Sequence, residues 1–195
     1  MSRLKTLKRR PPTRRRKGLT DYRARLKLVK SGQLRLVVRK SNRYILVQIV
    51  KSKKGGDETL LTINSKSLLK YGWRASTKNL PAAYLTGLLA GLIAKKKGVG
   101  RAILDIGVYT PVDGSRIFAV AKGVRDAGVE VPISEEKLPG EERISGSHIE
   151  GYYSMIKDGD VKTSQFSKSL EEVYRRLTEH FKEVKEKILE EVDRL

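Results

Sequence analysis

The chain has 195 residues, with 42 Lys and Arg against 22 Asp and Glu, a net charge of +20, and no cysteine. That length fits one domain with extensions or one domain with a small second one. The missing thiols exclude disulfides, cysteine nucleophiles and thiolate zinc sites, and two histidines, His148 and His180, exclude a His-rich metal site.

The charge is concentrated at one end. Residues 1–54 hold 20 Lys and Arg and one acid, Asp21, whereas residues 55–195 hold 22 bases and 21 acids. Around Pro11-Pro12, Lys8, Arg9, Arg10, Arg14, Arg15, Arg16 and Lys17 form a run with no apolar period. Such a run cannot offset chain entropy by burial, so residues 1–18 are expected to form a basic arm that is disordered until it meets a partner. The N-terminus is charged from Arg3 onward and reads as no secretory signal.

Thr20 is the expected N-cap of a short basic helix, with Asp21 favouring the positive end of its dipole. Tyr22, Leu26 and Val29 lie at i, i+4 and i+7 and predict an apolar stripe, while Arg23, Arg25, Lys27 and Lys30 cover the other side. Gly32 stops it.

Residues 34–40 and 43–50 read as strands joined by a two-residue turn, Ser41-Asn42. A second turn at 53–57 leads to a third strand at 58–63, completing an antiparallel meander. Arg35, Val37 and Arg39 share one face of the first strand by its period of two.

Asn79 caps a predicted helix running to about Lys97, with Pro81 in its first turn and Gly98 beyond its end. Tyr84, Leu85, Leu88, Leu89, Leu92 and Ile93 form a wide apolar face. Ala83, Gly87, Ala90, Gly91 and Ala94 form a small-residue face, expected to approach a sheet closely. The apolar stretch 80–94 is shorter than the roughly 20 residues a membrane span needs, and the reading is a soluble, intracellular protein. A strand at 102–106, a helix capped by Ser115 and ended by Gly128, and a strand at 129–133 follow. The fold class is therefore α/β: an antiparallel meander then β-α-β-α-β in one mixed β-sheet with packed helices. Residues 19–133 form the expected α/β domain, 134–165 an irregular connection, and 166–195 a C-terminal amphipathic helix. Its expected cap is Ser169 and its stripe is Leu170, Tyr174, Leu177, Phe181, Val184, Ile188 and Leu195, packing on its own domain or on a neighbour.

The arm and basic helix point to a polyanion, because each cation placed on a phosphate releases counterions. RNA is favoured over DNA: no zinc finger is present, and the basic helix lacks the following helix that a helix-turn-helix requires. Tyr22 and Tyr44, set among cations, either stack on bases or pack inward. A lone Trp73 suits the plug of a core. Asp105 before Gly107 at a strand end has the look of a Mg²⁺ ligand, with Asp113 and Asp126 as companions. Asp126 lies a helix length away, so Asp105 is read as structural. The alternative is a Mg²⁺-dependent nuclease with a ribonuclease-H-like fold. Gly98-Val99-Gly100 reads as a helix stop. Arg143, Ser145, Ser147 and His148 either bind phosphate or form a polar loop.

Several stretches together resemble the large-subunit ribosomal protein eighteen family, the universal 5S-rRNA-binding ribosomal protein, in its archaeal and eukaryotic type. They are residues 20–26 (TDYRARL), 35–42 (RLVVRKSN), 71–73 (YGW), 80–91 (LPAAYLTGLLAG), 104–107 (LDIG), 114–119 (GSRIFA) and 126–128 (DAG). The resemblance implies a non-catalytic constituent of the large ribosomal subunit, cytoplasmic and in the ribosome. It implies binding to 5S rRNA, its attachment to the large-subunit rRNA in the central protuberance, and contact with neighbouring large-subunit ribosomal proteins. No cofactor, metal, membrane or small-molecule substrate is expected. Carried onto this chain, the RNA contacts are Arg9, Arg10, Arg14, Arg15, Arg16, Lys17, Tyr22, Arg23, Arg25, Arg39, Lys40, Ser41, Asn42, Arg43 and Tyr44.

Overall fold

The computed structural model describes residues 10–157 and 171–194. Arg9, Ser169, Leu170 and Leu195 lie outside them. The α/β class is as expected: a four-stranded mixed sheet in the order β3-β2-β1-β4, with helices packed on it. The strands are β1 (Arg35–Lys40), β2 (Ile45–Lys53), β3 (Gly56–Asn64) and β4 (Ile103–Asp105). β1 and β3 each pair antiparallel with β2, and β4 adds parallel to β1.

Alternation along the strands sets the core. Leu36, Val38, Ile45, Val47 and Ile49 are fully buried on one face, as the two-residue period requires. The β1–β2 connection runs over four residues, Ser41–Tyr44, instead of a two-residue turn. The Ser41 N–H closes it by donating to the Tyr44 carbonyl at 2.8 Å, and the Ser41 hydroxyl accepts from the Tyr44 N–H at 2.9 Å.

The core face of the sheet is covered by α3 (Leu80–Lys96), which leads the chain from edge strand β3 to edge strand β4, and by α4 (Arg116–Asp126). α3 starts where predicted: the Asn79 side chain accepts from the Ala82 N–H at 2.9 Å, with Pro81 in the first turn. Ser115 occupies the N-cap of α4 but makes no side-chain cap bond. The glycines of the small-residue face of α3, Gly87 and Gly91, are turned to α4 and not to the sheet. The two helices meet so closely that a Cβ on Gly87 would stand 2.1 Å from the Val120 carbonyl oxygen, and one on Gly123 would stand 2.3 Å from that of Tyr84. Two helices need such a groove at their crossing more than a helix lying on a pleated surface does.

The strand expected at 129–133 is reduced to an isolated parallel bridge between Arg101 and Glu130. Val129 and Val131 are buried as their apolar character demands. However, they lie beyond the start of β4, where no ladder continues. The region expected to be irregular contains α5 (Glu141–Ser145) and α6 (Ser147–Lys157). The predicted C-terminal helix is divided by a turn at Arg176 into α7 (Glu171–Arg175) and α8 (Leu177–Arg194). α8 packs against α3, α5 and α6. Its buried stripe is Leu177, Phe181, Val184, Ile188 and Val192. The last step is four residues, which passes over Glu191 and keeps an apolar group facing the core. Trp73 is buried, as expected of a plug, and its ring stacks on His180 of α8 at 5.2 Å.

Candidate nucleic-acid interface

The end of the basic arm has structure of its own. α1 (Thr13–Arg16) is one helical turn. It is tied down where the Arg14 Nε–H donates to Thr20 Oγ1 at 2.9 Å and the Leu19 N–H donates to the Arg14 carbonyl at 2.9 Å. These local hydrogen bonds offset part of the ordering entropy that burial does not. Arg10, Arg14, Arg15, Arg16 and Lys17 are all exposed. The next helix, α2 (Tyr22–Lys30), is capped by Asp21 and not by Thr20. Asp21 Oδ1 accepts from the N–H groups of Arg23 at 2.8 Å and Ala24 at 3.1 Å.

A ladder of alternating charges then fixes α2 against the sheet. Arg25 Nη2 lies 2.8 Å from Asp57 Oδ2, and Arg35 Nη2 lies 2.5 Å from the same oxygen. Arg35 Nη1 reaches Asp105 Oδ2 at 2.7 Å. Arg39 Nη2 reaches Asp105 Oδ1 at 2.9 Å, and its Nη1 donates to the Asp105 carbonyl at 2.7 Å. Three guanidinium groups thus share two carboxylates across α2, β3, β1 and β4. Arg35 is only 3% exposed, and a buried charge is tolerable when paired on this scale. Burial by itself would raise the Asp105 carboxyl, but hydrogen bonds and charge from Arg39 and Arg35 outweigh it and hold the group below its ordinary 3.8. Asp57 behaves alike: desolvation pushes it up, and Arg35, Arg25 and Ser52 together pull it further down. Sequence reading missed Asp57 because, next to Gly55-Gly56, it reads as part of a turn, whereas it lies in β3, 32 residues from its partner Arg25.

This geometry also explains the Asp105-Ile106-Gly107 step. The Gly107 N–H donates to Asp105 Oδ1 at 2.9 Å. Gly107 has φ +67°, and a Cβ there would stand 2.9 Å from the Arg39 guanidinium carbon. Glycine is needed both for the left-handed turn and for the passing arginine.

The structure gathers some of the candidate contacts and separates others. Arg14, Arg25 and Arg39 line one cleft of about 360 Å³ between α2 and the β1–β4 edge, with Lys27 on its wall and Arg35 and Asp105 at its base. Arg15, Tyr22 and Arg23 line a second depression on the outer side of α2. Ser41, Asn42 and Arg43 are exposed on the hairpin loop, Tyr44 is half-buried, and these four line neither concavity. Thr77 Oγ1 steadies that loop by donating to the Arg43 carbonyl at 2.9 Å. Lys40 sits with its Nζ 4.9 Å from the Tyr109 ring centre, and its carbonyl accepts from the Tyr109 hydroxyl at 2.6 Å. The predicted apolar stripe of α2 is split: Tyr22 is 37% and Leu26 54% exposed, whereas Val29 is half-buried.

The carboxylates do not assemble for metal chemistry. Both Asp105 oxygens are occupied by guanidinium and backbone donors. Asp126 instead accepts from the Tyr84 hydroxyl at 2.8 Å. Among the described residues no group of three acidic or histidine side chains is placed to hold a metal. Asp105 has the structural role expected of it. The Ser145 and Ser147 hydroxyls both donate to the Glu142 carbonyl, so the polar cluster near His148 is a helix junction. No helix among the described residues is long and apolar enough to cross a membrane.

Residues 5–99 match the model of the family described as ribosomal large subunit proteins 60S L5, and 50S L18. The large ribosomal subunit protein uL18 of Korarchaeum cryptofilum (strain OPF8) is 53% identical over 154 residues, which is 79% of this chain and 79% of the relative. That of Methanothermobacter thermautotrophicus is 47% identical over 181 residues, 92% of this chain and 94% of the relative. The second match extends past the motif-bearing region into the terminal segments.

With a basic face on an α/β body, the chain is of the class of structural large-subunit ribosomal proteins. The chain belongs to the uL18 family of large-subunit ribosomal proteins.

Proposed function

We propose that the chain binds 5S rRNA and helps attach it to the large-subunit rRNA in the central protuberance, in contact with neighbouring ribosomal proteins. The observation that carries this reading is the charge ladder from Arg25 through Asp57, Arg35 and Asp105 to Arg39. It locks a basic helix onto the sheet, so that cations meet a folded RNA in one preset arrangement. Pre-set cations lose less conformational entropy on binding than mobile ones. The contacts are Arg9, Arg10, Arg14, Arg15, Arg16, Lys17, Tyr22, Arg23, Arg25 and Arg39 on the arm, α2 and β1, and Lys40, Ser41, Asn42, Arg43 and Tyr44 at the hairpin. Residues 19–133 serve as the RNA-binding body, and residues 166–195, with α8 on the near-neutral side, as the part that faces protein neighbours.

The test is competitive binding at near-physiological salt between 5S rRNA and a random RNA duplex of equal length. Preference for 5S rRNA is expected. Equal affinity for the two would leave only non-specific phosphate binding and refute the assignment.

A further inference from the structure

We propose that Tyr22 and Leu26 form a seat for one unstacked base of the bound RNA, with Arg15 and Arg23 holding the flanking phosphates. The inference rests on the RNA-binding reading above and adds what part of the RNA this face takes. The two side chains are four residues apart on α2 and so are neighbours on one helix face. They are 37% and 54% exposed, although their spacing alone predicts an inward stripe. The reason lies on the side of α2 that meets the sheet edge. Ala24, Arg25 and Leu28 line the cleft toward Leu104, Asp105 and Ile106, and Arg25 is tied to Asp57. The helix is therefore held with its apolar pair turned to solvent.

Single exposed apolar side chains need no explanation. These two share a depression with Arg15, Thr20, Asp21 and Arg23. Asp21 keeps its negative charge while Oδ1 accepts at the cap of α2, so two arginines against one carboxylate leave the depression net positive. The Tyr22 hydroxyl has no hydrogen-bond partner among the described residues, so no hydrogen bond pins the polar end of the ring. An aromatic plate beside an aliphatic wall, bracketed by two guanidinium groups, matches a ligand that joins flat π-faces through anionic links. A nucleotide in a loop, bulge or end of a folded RNA has this chemistry, because its base is free to leave the stack. A protein partner would need an apolar group ringed by carboxylates.

The test compares 5S rRNA binding of wild type, Tyr22→Ala, Leu26→Ser and Tyr22→Phe across a salt series. Both residues are exposed, so circular dichroism of the variants is expected to match wild type. Stacking on one base predicts about tenfold or weaker binding for Tyr22→Ala at every salt concentration, with the slope of log K against log salt unchanged. Tyr22→Phe keeps the ring and is expected to bind like wild type. Wild-type affinity in both Tyr22→Ala and Leu26→Ser would overturn the seat, and so assign the patch to a protein neighbour or to none. A loss that appears only as a shallower salt slope would overturn it too, since that marks a phosphate contact. Wild type that binds no folded RNA would remove the parent reading as well, an outcome distinguishable from loss of the seat alone.

Discussion

Arg35 and Asp105 form a buried ion pair between adjacent parallel strands, with Nη1 and Oδ2 2.7 Å apart and both residues at most 4% exposed. Parallel register sets Val37 beside Asp105, so Arg35 reaches diagonally along the sheet to meet the carboxylate. The pair joins the end of β4 to the start of β1 and leaves Arg35 able to hold Asp57 with its other nitrogen.

Removing one partner is costly because the other charge stays buried. Asp105→Ala is expected to lower unfolding free energy by about 3–5 kcal/mol, read as the shift in urea midpoint. The same ladder predicts acid sensitivity. Asp57 and Asp105 titrate below 3.8 when folded, so the unfolded chain takes up protons first. Their stabilisation is complete above the ordinary carboxylate pKa and is lost as pH falls through the depressed folded values. Asp105→Ala should flatten that part of the profile.

Gly87→Ala is expected to destabilise by about 2 kcal/mol, even though alanine is the better helix former. The added methyl meets backbone of α4, which cannot turn aside as a side chain would. Gly151, in α6, has open space around it. Gly151→Ala is therefore the control, with a gain of up to about 1 kcal/mol expected from propensity. Thermal unfolding of the two variants checks the pair.

His180 should make stability fall in mild acid. The Arg74 N–H donates to its Nε2 at 3.1 Å, which requires an unprotonated nitrogen there. Burial pushes its pKa below 6.5. Glu183 opposes that shift, and Arg74 and Lys187 reinforce it. The neutral ring's contribution is full above 6.5 and fades as pH drops through the lowered folded value, because the unfolded chain is protonated first. Trp73 is the only tryptophan and stacks on this ring, so its fluorescence in urea titrations from pH 7.5 down to pH 5 reads the effect directly. A variant His180→Gln with the same pH slope as wild type would contradict it.

Arg43 and Arg39 should separate binding from stability. Arg43 is exposed, and only its carbonyl is engaged by Thr77, so Arg43→Ala is expected to weaken RNA binding with unfolding changed by less than about 0.5 kcal/mol. Arg39→Ala also strips a donor from Asp105 and is expected to cost about 1 kcal/mol, modest because the side chain is 38% exposed. Deleting residues 1–17 should leave stability nearly unchanged and make log K less steep in log salt, since fewer counterions are released. Parallel denaturation and binding measurements on the three variants distinguish these outcomes.

Much of the fold could be read along the chain because its signals are local. Asn79 and Pro81 mark the start of α3 within four residues, and Gly98 marks its end. The strand-forming runs within residues 34–63, broken by turn residues, suffice for the meander. The confined positive charge is a property of composition and needs no coordinates. Where reading failed, the deciding partner was remote. The small face of α3 predicted close packing, but only the tertiary arrangement supplied α4 as the surface packed against. Val192 joins the α8 stripe where the heptad has Glu191, because a helix of 3.6 residues per turn drifts off a strict seven-residue repeat.

The same division holds for the interface. Local chain chemistry settles that a cationic segment with Tyr22 and Leu26 on one helical face exists, since charge and periodicity are carried residue by residue. Which way that face looks is settled by Arg25, Asp57, Arg35, Asp105 and Arg39, whose members lie up to 80 residues apart in sequence and meet only once the sheet has formed. An apolar stripe turns inward only when something inside is free to receive it, and here Ala24, Leu28 and the Arg25–Asp57 ion pair already hold an adjacent side of α2 against the sheet edge.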